Sequence, residues 1–174
     1  MTTTTGHYEA QGGQAVVRFS RIFPHPIADV WAAVTEREQL EQWFPTTVEM
    51  SALASGAPIA FRFAQDAHPP MRGEVLTVTP EREPSFTWGE ETLSFALEPA
   101  DAGAACRLSL TVVMPELGKA ARDSAGWESC LDMLAPVAGG QRPARPAGQG
   151  EWEAYYDAYQ RLGLPATAPI PRPS

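Results

Sequence analysis

The stretch that decides the fold is RLSLTVVMPELGKAARDSAGWESCLDMLAPVA, residues 107–138. Its first part alternates apolar and polar residues, with Leu108, Leu110 and Val112 in one phase, which predicts a β-strand with one buried face. From residue 115 to residue 138 the apolar residues recur instead at spacings of three and four, which predicts a long helix. A helix of roughly 30 Å is about as long as a small domain is wide, so it must lie right across a sheet.

The residues before this stretch predict a run of short antiparallel strands. The predicted strands are 59–64, 73–79, 85–88, 92–97 and 107–113. The connections between the later strands are short and contain Pro and Gly, so they permit hairpins and leave no room for crossover helices. An earlier strand at 15–23 and a short one at 46–49 bring the expected sheet to six or seven strands.

Between the first strand and this sheet, the sequence predicts two short helices. Ile27, Val30 and Val34 fall on one helical face. Thr35 and Glu38 then have the spacing of a capping box, which predicts a second helix that begins after Thr35.

Composition limits the class of protein. The chain has 174 residues, a net charge of −8 and 44% apolar residues, which is typical of one compact domain with a real core. The acidity argues against nucleic acid as a partner, because such binding needs a basic surface. No apolar run has the length of a membrane span, and the first residues lack a signal-peptide pattern. These features predict a cytoplasmic protein without membrane insertion.

The chain divides into a single folded domain with loose ends. We expect a flexible N-terminus over residues 1–13, one domain over 14–163 and a Pro-rich tail over 164–174. Within the domain, 139–150 reads as a loop and 151–162 as a last helix. The aromatic face of that helix is expected to pack back on the domain, and a homodimer is the alternative.

Three segments carry a resemblance to a known family. They are RIFPHPIADVWAAVTEREQLEQWF at 21–44, MRGEVLTVTPEREPSFTW at 71–88 and GWESCLDMLAPVAGG at 126–140. In this order they resemble the family named for the activator of Hsp90 ATPase, in the START-like superfamily, also called Bet v 1-like or SRPBCC. The resemblance implies an α+β helix-grip fold, in which a curved antiparallel sheet wraps around a long C-terminal helix and leaves a cavity between them. It does not fix a function, because the superfamily includes lipid carriers, hormone receptors, cyclases and dehydratases.

The strand and helix phases, together with this architecture, give a set of candidate cavity residues. They are Trp31, Trp43, Phe44, Phe61, Phe63, Glu74, Trp88, Phe95, Trp127, Cys130, Leu131 and Leu134. One interpretation is an apolar ligand pocket with an aromatic lining, and the other is that these side chains simply fill the core. Glu74 has an ambiguous strand phase, and an inward carboxylate there would need a partner or a raised pKa.

Recognisable catalytic and cofactor motifs are missing from the sequence. His7, His25 and His68 are dispersed and predict no metal site. The nucleophile elbow, the P-loop and the dinucleotide-binding fingerprint are all absent from the sequence. Cys130 has apolar neighbours, so we expect an inert thiol. We therefore predict no catalytic residues and no cofactor.

The sequence favours a non-catalytic protein that binds a small hydrophobic or amphipathic molecule in an internal cavity. A cyclase- or hydrolase-type enzyme of the same superfamily is the first alternative, and it requires at least two ionisable side chains that face the cavity. A co-chaperone-like interaction protein, suggested by the family's name, is the second.

Overall fold

The computed structural model describes residues 2–63, 68–144 and 151–170. Its strands are β1 (Gly6–Gln11), β2 (Gln14–Phe23), β3 (Thr47–Met50), β4 (Pro58–Arg62), β5 (Met71–Thr79), β6 (Glu83–Trp88), β7 (Glu91–Ala100) and β8 (Ala105–Met114). Its helices are α1 (Ile27–Thr35), α2 (Arg37–Leu40), α3 (Ala120–Ala138) and α4 (Trp152–Arg161). Among the helices in the described ranges, none has the length and apolar character needed to cross a membrane.

All the strands form one antiparallel sheet, in the order β1-β2-β8-β7-β6-β5-β4-β3. Hairpins connect β6 to β7 and β7 to β8. The pairing of β2 with β8 joins the first part of the chain to the last strand. The predicted α+β helix-grip fold is confirmed, with eight strands in the described ranges instead of six or seven.

The core lies between the inner face of this sheet and α3. The register places Phe19 opposite Leu110 and Leu110 opposite Phe95, so these three fully buried side chains form a row across the middle of the sheet. From α3, Leu131 and Leu134 are almost fully buried in the same core. The predicted arrangement, in which this stripe of α3 rests on an all-antiparallel sheet, is therefore present.

The additional strand is at the N-terminus. Gly6–Gln11 pairs with β2 along its length, so the prediction of a flexible segment over 1–13 is wrong for these residues. Their anchor is the buried carboxylate of Glu128 on α3, which accepts hydrogen bonds from the backbone N–H groups of Thr5 and Gly6 at 2.5 and 3.2 Å. Glu128 also accepts the Tyr159 hydroxyl at 2.5 Å and pairs with the Arg21 guanidinium.

Two predicted helix starts also differ from the structure. Thr35 does not cap α2: it is the last residue of α1, and its hydroxyl donates to the Trp31 carbonyl at 2.7 Å. The long helix begins at Ala120 instead of residue 115, because Leu117–Lys119 forms a 3-10 turn first. Pro136 lies inside α3 near its end, and the helix still continues to Ala138.

The last helix and the tail pack back on α3. Tyr155 and Tyr159 of α4 are buried, which confirms the expected packing of this aromatic face on the domain. Beyond α4, the backbone of the tail bonds to the start of α3: the Ala168 N–H donates to the Gly118 carbonyl and the Ala121 N–H to that of Pro165, at 3.1 and 3.0 Å. Residues 64–67, 145–150 and 171–174 lie outside the described residues; they include the last residue of the predicted strand 59–64 and parts of the predicted loop and tail.

Candidate functional site

A cleft of about 720 Å³ opens beside α3, between the β6–β7 hairpin, the first half of the helix and the tail at Ile170. This volume falls in the range of sites that hold a small molecule, roughly 300–1,000 Å³. The walls combine an apolar part, made mainly of tryptophan, with a polar part that carries charges of both signs.

Three tryptophans form the apolar part of the cleft. The indoles of Trp88 and Trp127 meet edge to face, with ring centroids 5.5 Å apart. Trp152 of α4 completes the group, and its indole N–H donates to the Arg122 carbonyl at 3.2 Å, which fixes its side chain against α3. Met71 adds a flexible apolar side chain to the wall. Because their positions are set by such contacts, these rings offer flat apolar surfaces with little loss of side-chain freedom on binding.

The turn between β6 and β7 sets the geometry at the cleft edge. Gly89 has a φ of +61°, and Trp88 pairs directly with Glu91 across the turn. A two-residue hairpin turn favours glycine at such a position, because a side chain would be strained there. The short turn thus places Trp88 and Glu91 side by side at the mouth of the cleft.

The polar part of the cleft contains an unusual carboxyl group. Glu91 is only 6% exposed, and its Oε2 atom is buried without a hydrogen-bond partner among the described residues. Asp123, Lys119 and Arg122 line the cleft beside it. Arg122 is engaged already, because its Nε lies 2.6 Å from Asp123 Oδ1.

Burial raises the pKa of Glu91 to about 8, and the neighbouring Asp123 carboxylate adds to this rise by repulsion and by accepting a hydrogen bond from the acid form. The positive charges of Lys119 and Arg122 act in the opposite direction and are weaker. At neutral pH the Glu91 side chain is therefore mostly a neutral carboxylic acid with one oxygen free to accept a hydrogen bond.

Sequence reasoning missed Glu91, although a signal for it was present. Leu93, Phe95 and Leu97 are the inward residues of β7, and Glu91 lies two positions before Leu93 in the same phase. Extending the predicted strand by one residue places its side chain inward. Asp123 has a similar signal, because it precedes Trp127 by four residues on the helix.

Of the predicted cavity residues, Trp88, Trp127 and Cys130 line the cleft. The other buried ones pack together in the core beneath it; they are Trp43, Phe44, Phe61, Phe95, Leu131 and Leu134. Phe44 connects the two groups, since its ring lies 5.5 Å from that of Trp127 and 6.0 Å from that of Phe61. Trp31 is half-buried and packs against the core.

Two predicted residues lie elsewhere. Glu74 is exposed and does not line the cleft, because Val75 is the buried residue of that part of β5 and its neighbour must point to the other face. Phe63 is 42% exposed, because β4 ends at Arg62 and the alternation that placed Phe63 inward does not continue. Its ring contacts Trp88 from outside, with centroids 6.1 Å apart.

Cys130 is poorly suited to be a nucleophile. Burial raises the pKa of its thiol to about 12, and the nearby Asp132 charge adds to the rise. A thiolate is thus strongly disfavoured at neutral pH. Across the part of the chain that the structure describes, no group of three or more His, Cys, Asp or Glu side chains is arranged to hold a metal ion.

The fold and the cleft define the class: this is a helix-grip α+β protein of the SRPBCC type with a partly aromatic cleft beside its long helix. The chain belongs to the family described as Activator of Hsp90 ATPase homolog 1-like protein, whose model matches residues 24–139. The family resemblance predicted from the sequence is confirmed. No curated protein matches the chain at a significant level.

Solved structures with this fold are similar over most of the chain. EF2215 from Enterococcus faecalis, a conserved protein of unknown function, has 18% identity and a TM-score of 0.74, and the match covers 92% of this chain and 91% of that one. CalU16 from Micromonospora echinospora has 17% identity and a TM-score of 0.66, with 92% and 98% covered. DynU16, a putative protein in the dynemicin biosynthetic locus, has 25% identity and a TM-score of 0.62, with 75% and 49% covered.

Proposed function

We propose that this protein binds a small hydrophobic or amphipathic molecule in the cleft beside α3. The observation that carries the proposal is the joint presence of three indoles and one unpartnered buried polar atom in a space of about 720 Å³. Ligand sites typically have this composition, with apolar walls that supply affinity and a few polar groups that orient the ligand.

The location of the cleft supports the proposal. The aromatic residues in the interior fill the core tightly, with Phe61, Phe86 and Phe95 stacked at centroid distances of 6.1 and 5.9 Å. A ligand therefore needs no rearrangement of that core, because the cleft lies outside it and opens to solvent. Family membership agrees with this function, since the superfamily includes many proteins that hold small molecules between sheet and helix.

Gly126 offers a direct test of the site. It lies on the cleft wall of α3, and no atom comes within 4 Å of where its Cβ would be, so a side chain there enters free space. Gly126→Leu should fill part of the cleft without disturbing the fold, because leucine also favours the helix. Gly126→Ala is the matched control, since it improves the helix equally and leaves most of the cleft open.

The experiment is a screen of fatty acids, aromatic metabolites and polyketide-like phenols by thermal shift, followed by titration of tryptophan fluorescence. We expect at least one class to stabilise the wild type and the Gly126→Ala variant, and to lose at least tenfold in affinity in Gly126→Leu. The proposal fails if no class stabilises the wild type, or if Gly126→Leu binds as well as Gly126→Ala.

A cyclase- or hydrolase-type enzyme is the second candidate, and one observation favours it. The cleft contains two ionisable acids in mutual contact, Glu91 and Asp123, one of which is mostly protonated at neutral pH. Such a pair can serve as acid and base. The test is turnover of an aryl ester or intramolecular aldol closure of a diketone, which should fall by at least 100-fold in Glu91→Gln. Unchanged turnover in that variant, or none in the wild type, contradicts the enzymatic function.

A further inference from the structure

Two acidic side chains of the cleft have no ion-pair partner in the described part of the chain. Both basic groups have partners: Arg122 Nε lies 2.6 Å from Asp123 Oδ1, and Lys119 Nζ lies 3.2 Å from Glu116 Oε1. Glu90 and Glu91, the other charged or chargeable groups of the wall, form no ion pair among the described residues. A ligand that enters the cleft thus meets two cations that already have acidic partners, together with Glu90 and the mostly neutral Glu91, which have no cationic partner among the described residues.

The unpartnered atom requires a hydrogen-bond donor. Glu91 Oε2 is buried and can accept a hydrogen bond in both the acid and the ionised form. A buried acceptor without a partner destabilises the protein, and a ligand that donates to it recovers that cost. A carboxylate or sulfonate has only acceptors and cannot do this, while an ammonium group can.

The tryptophan wall suits the same kind of ligand. An indole face attracts a cation electrostatically, and the attraction is strongest where water is excluded. Trp88, Trp127 and Trp152 all line the cleft that also holds the Glu91 carboxyl group. A flat apolar body with a positive end can therefore satisfy both parts of the cleft at once, and the acidic protein, with its net charge of −8, attracts cations in general.

We propose that the ligand is an amphipathic amine, with its apolar body against the three tryptophans and its ammonium N–H donating to Glu91 Oε2. This inference rests on the proposed function and specifies its ligand. It also predicts a proton balance: the ammonium group favours the ionised form of Glu91, so the carboxyl proton leaves to solvent as the amine binds. The charged groups that act on Glu91 during this exchange are Asp123, Lys119 and Arg122 from the α3 side, and Glu90 of the turn lines the same cleft.

The test uses three probes that share one ring system: naphthylethylamine, naphthylethanol and naphthylacetate. Titration of tryptophan fluorescence at pH 7 gives the three affinities. We expect the amine to bind at least tenfold more tightly than the alcohol, and the acetate to bind most weakly. Calorimetry in two buffers of different ionisation enthalpy should show a net release of protons as the amine binds, because an acid with a pKa of about 8 is mostly protonated at this pH.

Glu91→Gln keeps the shape and the acceptor oxygen but cannot ionise. In this variant we expect the affinity for the amine to fall to within about threefold of that for the alcohol, and proton release to disappear. Glu98→Gln is the matched control, because Glu98 lies on the same strand but is exposed, and it should behave as the wild type. Tighter binding of the alcohol or the acetate than of the amine overturns this inference and leaves the proposed function intact. A preference for the amine that persists in Glu91→Gln also overturns this inference. If no ligand class binds the wild type, the proposed function itself is contradicted.

Discussion

The buried acid of the cleft should make the stability of the protein depend on pH in an unusual direction. Burial raises the pKa of Glu91 from its ordinary value of 4.5 to about 8, so between these pH values the folded protein holds a proton that the unfolded chain has lost. Folding then binds a proton, and the free energy of unfolding falls as the pH rises. Its contribution is fully present below pH 4.5 and is lost as the pH approaches 8. Glu91→Gln removes this term, because an amide does not ionise.

The magnitude follows from the interval between the two pKa values. Each pH unit corresponds to about 1.4 kcal/mol, so the interval from 4.5 to about 8 is worth up to about 5 kcal/mol. The assay is urea denaturation of the wild type and of Glu91→Gln at several values between pH 5 and 8.5. Subtracting the free energy of unfolding of the wild type from that of the variant cancels the titration of all other groups. This difference should rise by several kcal/mol between pH 5 and 8.5.

Glu98→Gln, on the exposed face of the same strand, should show a difference from the wild type that stays within about 0.5 kcal/mol at every pH. A flat difference for Glu91→Gln as well would refute the reasoning, because it would mean that Glu91 is ionised in the folded protein at neutral pH. A difference that falls with rising pH would refute it too, since it would mean that the carboxylate form is the one that stabilises the fold.

Three further substitutions and modifications have expected outcomes. Gly126→Ala should raise the free energy of unfolding by about 1 kcal/mol and the melting temperature by about 2–4 °C, because alanine favours the helix and open space surrounds the new Cβ. A melting temperature at or below that of the wild type contradicts this prediction. Tyr159→Phe should lower the free energy of unfolding, measured by urea denaturation, by about 1.5–3 kcal/mol, because the Tyr159 hydroxyl donates to the buried Glu128 carboxylate. Tyr156→Phe on the same helix is the control and should change it by less than about 0.5 kcal/mol. Equal effects of the two substitutions would exclude the hydrogen bond as the cause. The Cys130 thiol, buried and with a pKa near 12, should react with a disulfide reagent at pH 8 only after unfolding, and prompt reaction of the native protein would show that it is accessible.

Most of the sheet could be predicted from the sequence, because strand alternation is a local signal. Leu93, Phe95 and Leu97 on β7 are all buried, as the period of two requires. The missed strand shows where this signal ends. Gly6–Gln11 is a polar edge strand with no apolar phase to detect, and its anchor, Glu128, lies more than 120 residues further along the chain. A contact so distant in sequence leaves no local pattern.

The candidate site was only partly predictable, for a related reason. The phases of the long helix and of β6 correctly indicated inward positions for Trp127 and Trp88, but an inward phase does not distinguish a residue that fills the core from one that lines a cleft. That distinction depends on how α4 and the tail pack against α3, which brings Trp152 and Ile170 to the cleft. Glu91 was missed because Gly89 and Glu90 signal a turn, and a carboxylate in a buried phase argues against extending the strand.

Two deeply buried glutamates, Glu128 and Glu91, differ in their hydrogen-bond partners, and the contrast supports a role in binding for Glu91. Glu128 accepts hydrogen bonds from two backbone N–H groups, from Tyr159 and from Arg21, so its buried charge is compensated at every side. Glu91 lies in the wall of a cleft, has a raised pKa, and has one oxygen for which the described part of the chain supplies no donor. A carboxyl group that serves only the fold gains stability from donors such as those around Glu128, and leaving one out costs about 1–3 kcal/mol. The fold bears this cost in a residue that lines the cleft, and this is the arrangement expected of a group that recognises a donor from outside the chain.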